Sequence, residues 1–252
     1  MAGAPPGDPP PAGGRRARNR RERERAYLDA ALEIAGRDGL RALTMSRLAD
    51  EVDAAVGTVY TYFPSKGALV AELQREAIER LRASYHEVRR RSDEILGGWD
   101  DPAAAAVARL LVFGRFWIAA ADALPQEAAF LHALISETEQ EVPVEEHHRV
   151  LPAAMALLDD ARACVEAGVA LGAIRVDDAM DVVIRWAAAL TGALLTSNLA
   201  PLNPRAFDGR RLAGQLQRDL LLGWGADPRL VAAAEAHADG LARGGSLAPA
   251  PG

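Results

Sequence analysis

From about residue 20 to residue 240, apolar residues return every three or four positions, and no run alternates apolar with polar as a half-buried strand does. That period admits helices and excludes sheets, so the expected fold is all-α. Composition agrees: half the residues are apolar, much of that half is alanine, and aromatics are only 5%, as suits helices built largely from the best helix former. A chain of 252 residues can hold one large domain or two modest ones. Residues 1–14, mostly Pro and Gly, are expected to form a disordered tail, and residues 244–252 another.

Several function classes are excluded early. The single Cys164 allows no internal disulfide and reads as a small buried hydrophobe. The N-terminus lacks the charged and apolar regions of a signal peptide. The longest uncharged run, Trp186 to Pro204, is broken by Thr, Ser, Asn and Pro, so no membrane span is expected and the cytoplasm is the expected location. "EEHH" at Glu145–His148 sits in a Pro-flanked stretch without histidines at i, i+4, so no metal is expected there. With no hydrolase, protease, phosphate-loop or dinucleotide signature, neither a cofactor nor enzymatic activity is expected.

Charge is distributed unevenly. Residues 15–91 hold 17 Lys/Arg against 12 Asp/Glu, whereas residues from Ser92 onward hold 12 against 22. Arg15, Arg16, Arg18, Arg20, Arg21, Arg23 and Arg25 crowd together with only Glu22 and Glu24 opposing, an arrangement that suits a polyanion.

The N-terminal third reads as three helices. The first spans about 20–37 and ends at Gly39. In "LTMSRLADEVDAAVGTVYTYFPSKGAL" Thr44 can cap a short helix that buries Leu48, Ala49 and Val52. The pattern breaks at Asp53–Ala55, a second short helix follows, and Pro64 ends it. Two short helices joined by such a turn make a helix-turn-helix. Ser65 then caps a long helix with Leu69, Leu73, Ala77, Leu81 and Tyr85 at four-residue spacing. On a helical wheel Val56, Val59 and Phe63 share one side within about 60°. Gly57, Thr58, Thr61 and Tyr62 take the other side, with Tyr60 at the border. Hydroxyls and backbone N–H groups suit phosphates, Lys66 follows at the next helix, and Val56, threonine methyls and tyrosine rings suit thymine methyls.

Thr44–Ala49 together with Gly57–Lys66 resembles the DNA-binding domain of the TetR family of transcriptional regulators, over about residues 20–75. The resemblance implies a homodimer on a palindromic double-stranded DNA operator. Each subunit would pair a three-helix domain, residues 15–65, with a helical effector-binding and dimerisation domain, residues 66–243. It also implies that Thr44, Ser46 and Arg47 meet DNA from the first helix of the motif. Gly57, Thr58, Tyr60, Thr61 and Tyr62 would do so from the second, joined by Val56 through the methyl contact read above, and Lys66 from the next. The chain departs from the family pattern at Asp53, usually Gly; at Ala55 and Val56, usually polar; and at Gly67, often acidic. Base-edge hydrogen bonding should therefore give way to methyl contact, shape readout and the arginine arm.

Beyond Gly97–Gly98, helices are expected near 102–122, 126–140, 152–168, 178–199, 206–224 and 228–242. The resemblance assigns 178–199 and 206–224 to the dimer interface, where Leu212, Leu216, Leu220 and Leu221 could pack across a partner. It places a small-molecule effector among the middle helices, where Phe113, Phe116, Trp117, Phe130, His132, Met155 and Trp186 are the candidate lining. A mostly apolar effector that releases a repressor is the expected function. The alternative is a DNA-binding protein of the same fold with no effector, acting through protein partners.

Overall fold

The computed structural model describes residues 12–136 and 144–251, with side chains for 15–131 and 145–251. Every regular element among the described residues is helical. The order is α1 (Ala12–Asp38), α2 (Met45–Glu51), α3 (Val56–Tyr60), α4 (Lys66–Leu96), α5 (Pro102–Ala123), α6 (Pro125–Ser136), α7 (His147–Ala170), α8 (Ala179–Leu195), α9 (Gly209–Gly223) and α10 (Pro228–Gly244). The chain divides into two compact units, and the division falls inside α4, after Leu73, rather than at its start.

The first unit is built on α1 to α3. Helix α1 starts at Ala12, eight residues before the expected position, because the segment 15–26 is rich in Arg, Glu and Ala, all good helix formers. Its core stripe is Tyr27, Leu28, Ala31 and Ile34, packed with Leu43, Met45, Leu48, Ala49, Val59 and Phe63. The caps fall where the sequence puts them. Thr44 Oγ1 accepts from the Arg47 backbone N–H at 3.1 Å, and Ser65 Oγ accepts from Ala68 N–H at 3.0 Å.

In the second unit α5 is the central helix, buried on nearly all sides and packed by α10, α7, α9, α8 and α6. It and the α8 segment are long and apolar enough to cross a membrane, but α5 spends its apolar surface on this core. Gly114 lets α9 approach: a Cβ there would lie 2.1 Å from Gln217 Nε2, which donates to the Leu111 carbonyl at 2.9 Å. Asp160 of α7 ties that helix to α4 by accepting from Arg82 at 2.7 Å and meeting His86 Nε2 at 2.8 Å. Helix α7 begins at His147, five residues earlier than expected, so Pro152 lies inside it and removes one ladder bond there.

The C-terminal segment differs from the expected disordered tail. Arg91 donates to the Leu241 and Ser246 carbonyls at 3.0 and 2.7 Å, and Ala248 is buried. Small residues carry little apolar signal, but their backbone carbonyls satisfy a guanidinium. The expected N-terminal tail lies outside the described residues up to residue 11.

Candidate nucleic-acid interface

Helix α3 is five residues long and buries one side chain, Val59. What fixes it is its surroundings. Helix α2 is capped by Thr44, Asp53 turns the chain at φ 50, and Phe63 anchors the exit. Asp53 takes the left-handed conformation that the missing glycine would have supplied. Asp53→Val should therefore lower stability by about 1–2 kcal/mol, because a β-branched side chain clashes there. Asp53→Asn should stay within about 0.5 kcal/mol. Thermal unfolding of the three chains checks this; a Val variant as stable as the parent would remove the strain from the account.

The expected contact residues divide by what the structure does with their polar atoms. Thr44, Ser46, Gly57, Tyr60 and Thr61 are exposed, whereas Arg47, Val56, Thr58, Tyr62 and Lys66 are half-buried. In its capping bond Thr44 uses an oxygen lone pair, so that bond leaves the hydroxyl proton to be donated to a phosphate. Thr61 does the reverse: its hydroxyl donates to the Thr58 carbonyl at 2.6 Å, leaving it an acceptor and a poor match for an anion. Tyr60 is 49% exposed, the most open aromatic of the segment. Tyr62 instead packs against Tyr27 of α1, ring centroids 5.0 Å apart, with the Arg20 guanidinium over the ring 5.8 Å from its centroid. Ala55 gives α3 no side-chain cap, and so short a helix carries little dipole, which weakens the expected phosphate preference at its entrance.

Sequence reasoning missed an exposed charge network beside this surface. The Arg47 guanidinium bonds the Asp38 carboxylate, and Arg37 donates to Asp38 at 2.9 Å and to Glu51 at 3.2 Å. The Arg37 hydrogen bond, then Arg47, holds the Asp38 carboxyl below its usual range. Two arginines against two acids leave this cluster neutral. Arg47 would thus have to exchange a carboxylate for a phosphate on meeting DNA. Arg37 and Asp38 at the end of one helical pattern were the available signal, but only the fold brings Arg47 and Glu51 beside them.

In the second unit the expected effector residues lie close together without enclosing much space. Phe116 and Trp117 line a cavity of about 20 Å³ together with Leu81, Ala121, Leu157 and Leu194. Phe113 and Trp186 pack behind it, rings 5.6 Å apart. Phe130 is buried, Met155 is half-buried, and the His132 side chain lies outside those described. Trp117 Nε1 donates to Thr191 at 3.2 Å, while the buried Trp186 Nε1 has no partner among the described residues. Burial pushes the Tyr85 hydroxyl well above its usual range and raises the Cys164 thiol.

Comparison with known proteins follows this division. Residues 28–73 match the family model described as bacterial regulatory proteins, tetR family. The HTH-type transcriptional repressor KstR of Mycobacterium tuberculosis is 51% identical over 57 residues, 22% of this chain and 26% of that protein. KstR of Mycolicibacterium smegmatis is 44% identical over 63 residues, 25% and 31% of the two chains. The chain thus spans between a quarter and a third of the length of these curated relatives. A solved structure similar in fold, a putative transcriptional regulator from Saccharomonospora viridis in complex with choline, has a TM-score of 0.55 at 18% identity and covers 79% of this chain and 95% of that one. The capped α2, the Asp53 turn and the exposed α3 all lie within the matched residues, so the segment 28–73 is similar to the DNA-binding region of tetR-family bacterial regulatory proteins.

Proposed function

We propose that the chain is a DNA-binding transcriptional repressor of the cytoplasm, acting as a homodimer and released from a near-palindromic operator by a small, mostly apolar effector. The observation that carries the DNA reading is the outward face of α3, where Tyr60 and Gly57 lie open between a capped α2 and a Pro-terminated exit. Thr44, Ser46, Arg47, Thr58 and Lys66 supply donors for phosphates around it. With Ala55 and Val56 at its start, α3 grips backbone and methyl groups better than it hydrogen-bonds base edges.

The dimer reading rests on α8, which has two apolar faces. Val182, Val183, Trp186, Leu190 and Leu194 are buried within the chain. Ile184, Ala188, Gly192 and Leu195 form an exposed stripe on the opposite side, followed by Leu199 and Leu202. Among the α9 leucines, Leu212, Leu216 and Leu220 are half-buried and remain available to a partner. Leu221 belongs to the chain's own core.

The effector reading rests on the apolar walls around Phe116 and Trp117. A cavity of about 20 Å³ holds one water, whereas a ligand needs several hundred Å³. Effector entry would therefore require the α5–α7 side chains to repack, and nearly complete release would require about 10⁴-fold preference for the opened state. The same small cavity favours the second reading, a regulator of this fold that uses no effector.

Selection of bound sequences from random duplex DNA, followed by binding of Thr58→Ala and Tyr60→Phe to the recovered sequence, tests the site. Each substitution should weaken binding by about tenfold, one hydrogen bond to a charged group. Parental affinity in both variants would remove α3 from the interface. A screen for compounds that dissociate the complex then separates the two readings.

A further inference from the structure

All seven arginines of the N-terminal arm are exposed, yet they do not lie on one side of it. At 100° per residue Arg16, Arg20 and Arg23 fall within about 60° of one another, and Tyr27 falls among them. Arg18, Arg21 and Arg25 occupy the opposite side, where Glu22 lies 4.0 Å from Arg18. Glu24 is the acid nearest the first face. The two faces are anchored differently. Tyr27 is buried against Tyr62, which directly follows α3 and Thr61, and Arg20 sits 5.8 Å over that same Tyr62 ring. The Arg16–Arg20–Arg23 face is therefore continuous with the flank of the recognition segment, and the Arg18–Arg21–Arg25 face is turned from it.

We propose that Arg16, Arg20 and Arg23 bind consecutive phosphates of the duplex that α3 enters, extending the DNA interface along one face of α1. This rests on the DNA reading above. Arg16 to Arg23 covers about 10 Å of helix axis, three consecutive phosphates of one strand cover about 7 Å along its axis, and the long arginine side chains can converge over the difference. Guanidinium groups pair with phosphates by two parallel hydrogen bonds, which gives the contact a fixed geometry without reading sequence.

The test measures affinity of the full chain for a random-sequence duplex of about 30 bp, three helical turns, over a range of salt concentrations. Arg16→Gln/Arg20→Gln/Arg23→Gln should flatten the slope of log affinity against log salt by about 2–3 per chain, near 0.9 for each phosphate lost. Arg18→Gln/Arg21→Gln/Arg25→Gln should flatten it by less than about 1. Both triple variants should melt like the parent, since the six side chains are exposed outside the core. Equal flattening by both, or none by the first, overturns the proposal. So does a larger loss on duplex RNA than on DNA. If the parent binds no duplex at any salt, the DNA reading falls with it. If Thr58→Ala weakens binding while the first triple variant is silent, the arm alone is removed.

Discussion

Trp186→Ala is expected to destabilise the chain by about 3–5 kcal/mol, the usual cost of removing a fully enclosed tryptophan. The side chain is 2% exposed, meets Trp224 edge-on at 5.9 Å and leans on Phe113 at 5.6 Å. Its loss would open a cavity between α8, α9 and α5 that rigid aromatic neighbours cannot refill. The companion change separates volume from polarity. Trp186→Phe keeps most of the ring volume and removes an indole N–H that is buried with no acceptor among the described residues. Leaving such a donor unsatisfied costs about 1–3 kcal/mol, so Phe should recover most of what Ala loses. Denaturant unfolding of the three chains decides the matter; Phe as damaging as Ala would mean that the indole N–H is satisfied in solution.

Ile184→Glu combined with Leu195→Glu should convert the proposed dimer into a monomer, with association weakened by more than about 100-fold. Ile184 is 51% exposed and Leu195 42% exposed in the single chain, both on the outer stripe of α8. Burying each across a two-fold axis would contribute about 1.5–3 kcal/mol, and symmetry counts every substitution twice. The glutamates would also place four like charges in the desolvated centre of the interface. Because neither residue belongs to the chain's own core, helicity and unfolding midpoint of the monomer should match those of an isolated parental subunit. Sedimentation at micromolar concentration reads the outcome, and a variant that still sediments as a dimer would place the interface elsewhere.

The fold was legible where period and punctuation agree. Thr44, Pro64 and Ser65 bound α2, α3 and α4 through local signals that a sequence states directly, and the burial of α5 follows from a largely apolar sequence that only Arg109, Arg115 and Asp122 interrupt. What was not legible depends on residues distant in sequence. Arg47 reads as a free cation until Asp38 is placed beside it. Tyr62 reads as a ligand-facing ring until Tyr27 occupies one side. Leu221 adjoins Leu220 in sequence but lies one turn after Gln217, on the face that α9 turns toward α5 where Gly114 permits close approach. The start of α7 was hidden by Pro152, since a proline is ordinarily read as a boundary.

The brevity of α3 has a kinetic consequence. With one buried side chain in the helix and Phe63 after it, little free energy separates its folded form from a locally opened one. Its amide hydrogens should exchange through that opening while those of α5 wait for global unfolding. If α3 enters DNA as proposed, part of the free energy of that contact would be spent on ordering residues 56–61, lowering affinity for every sequence while giving the segment freedom to adjust to grooves of different width.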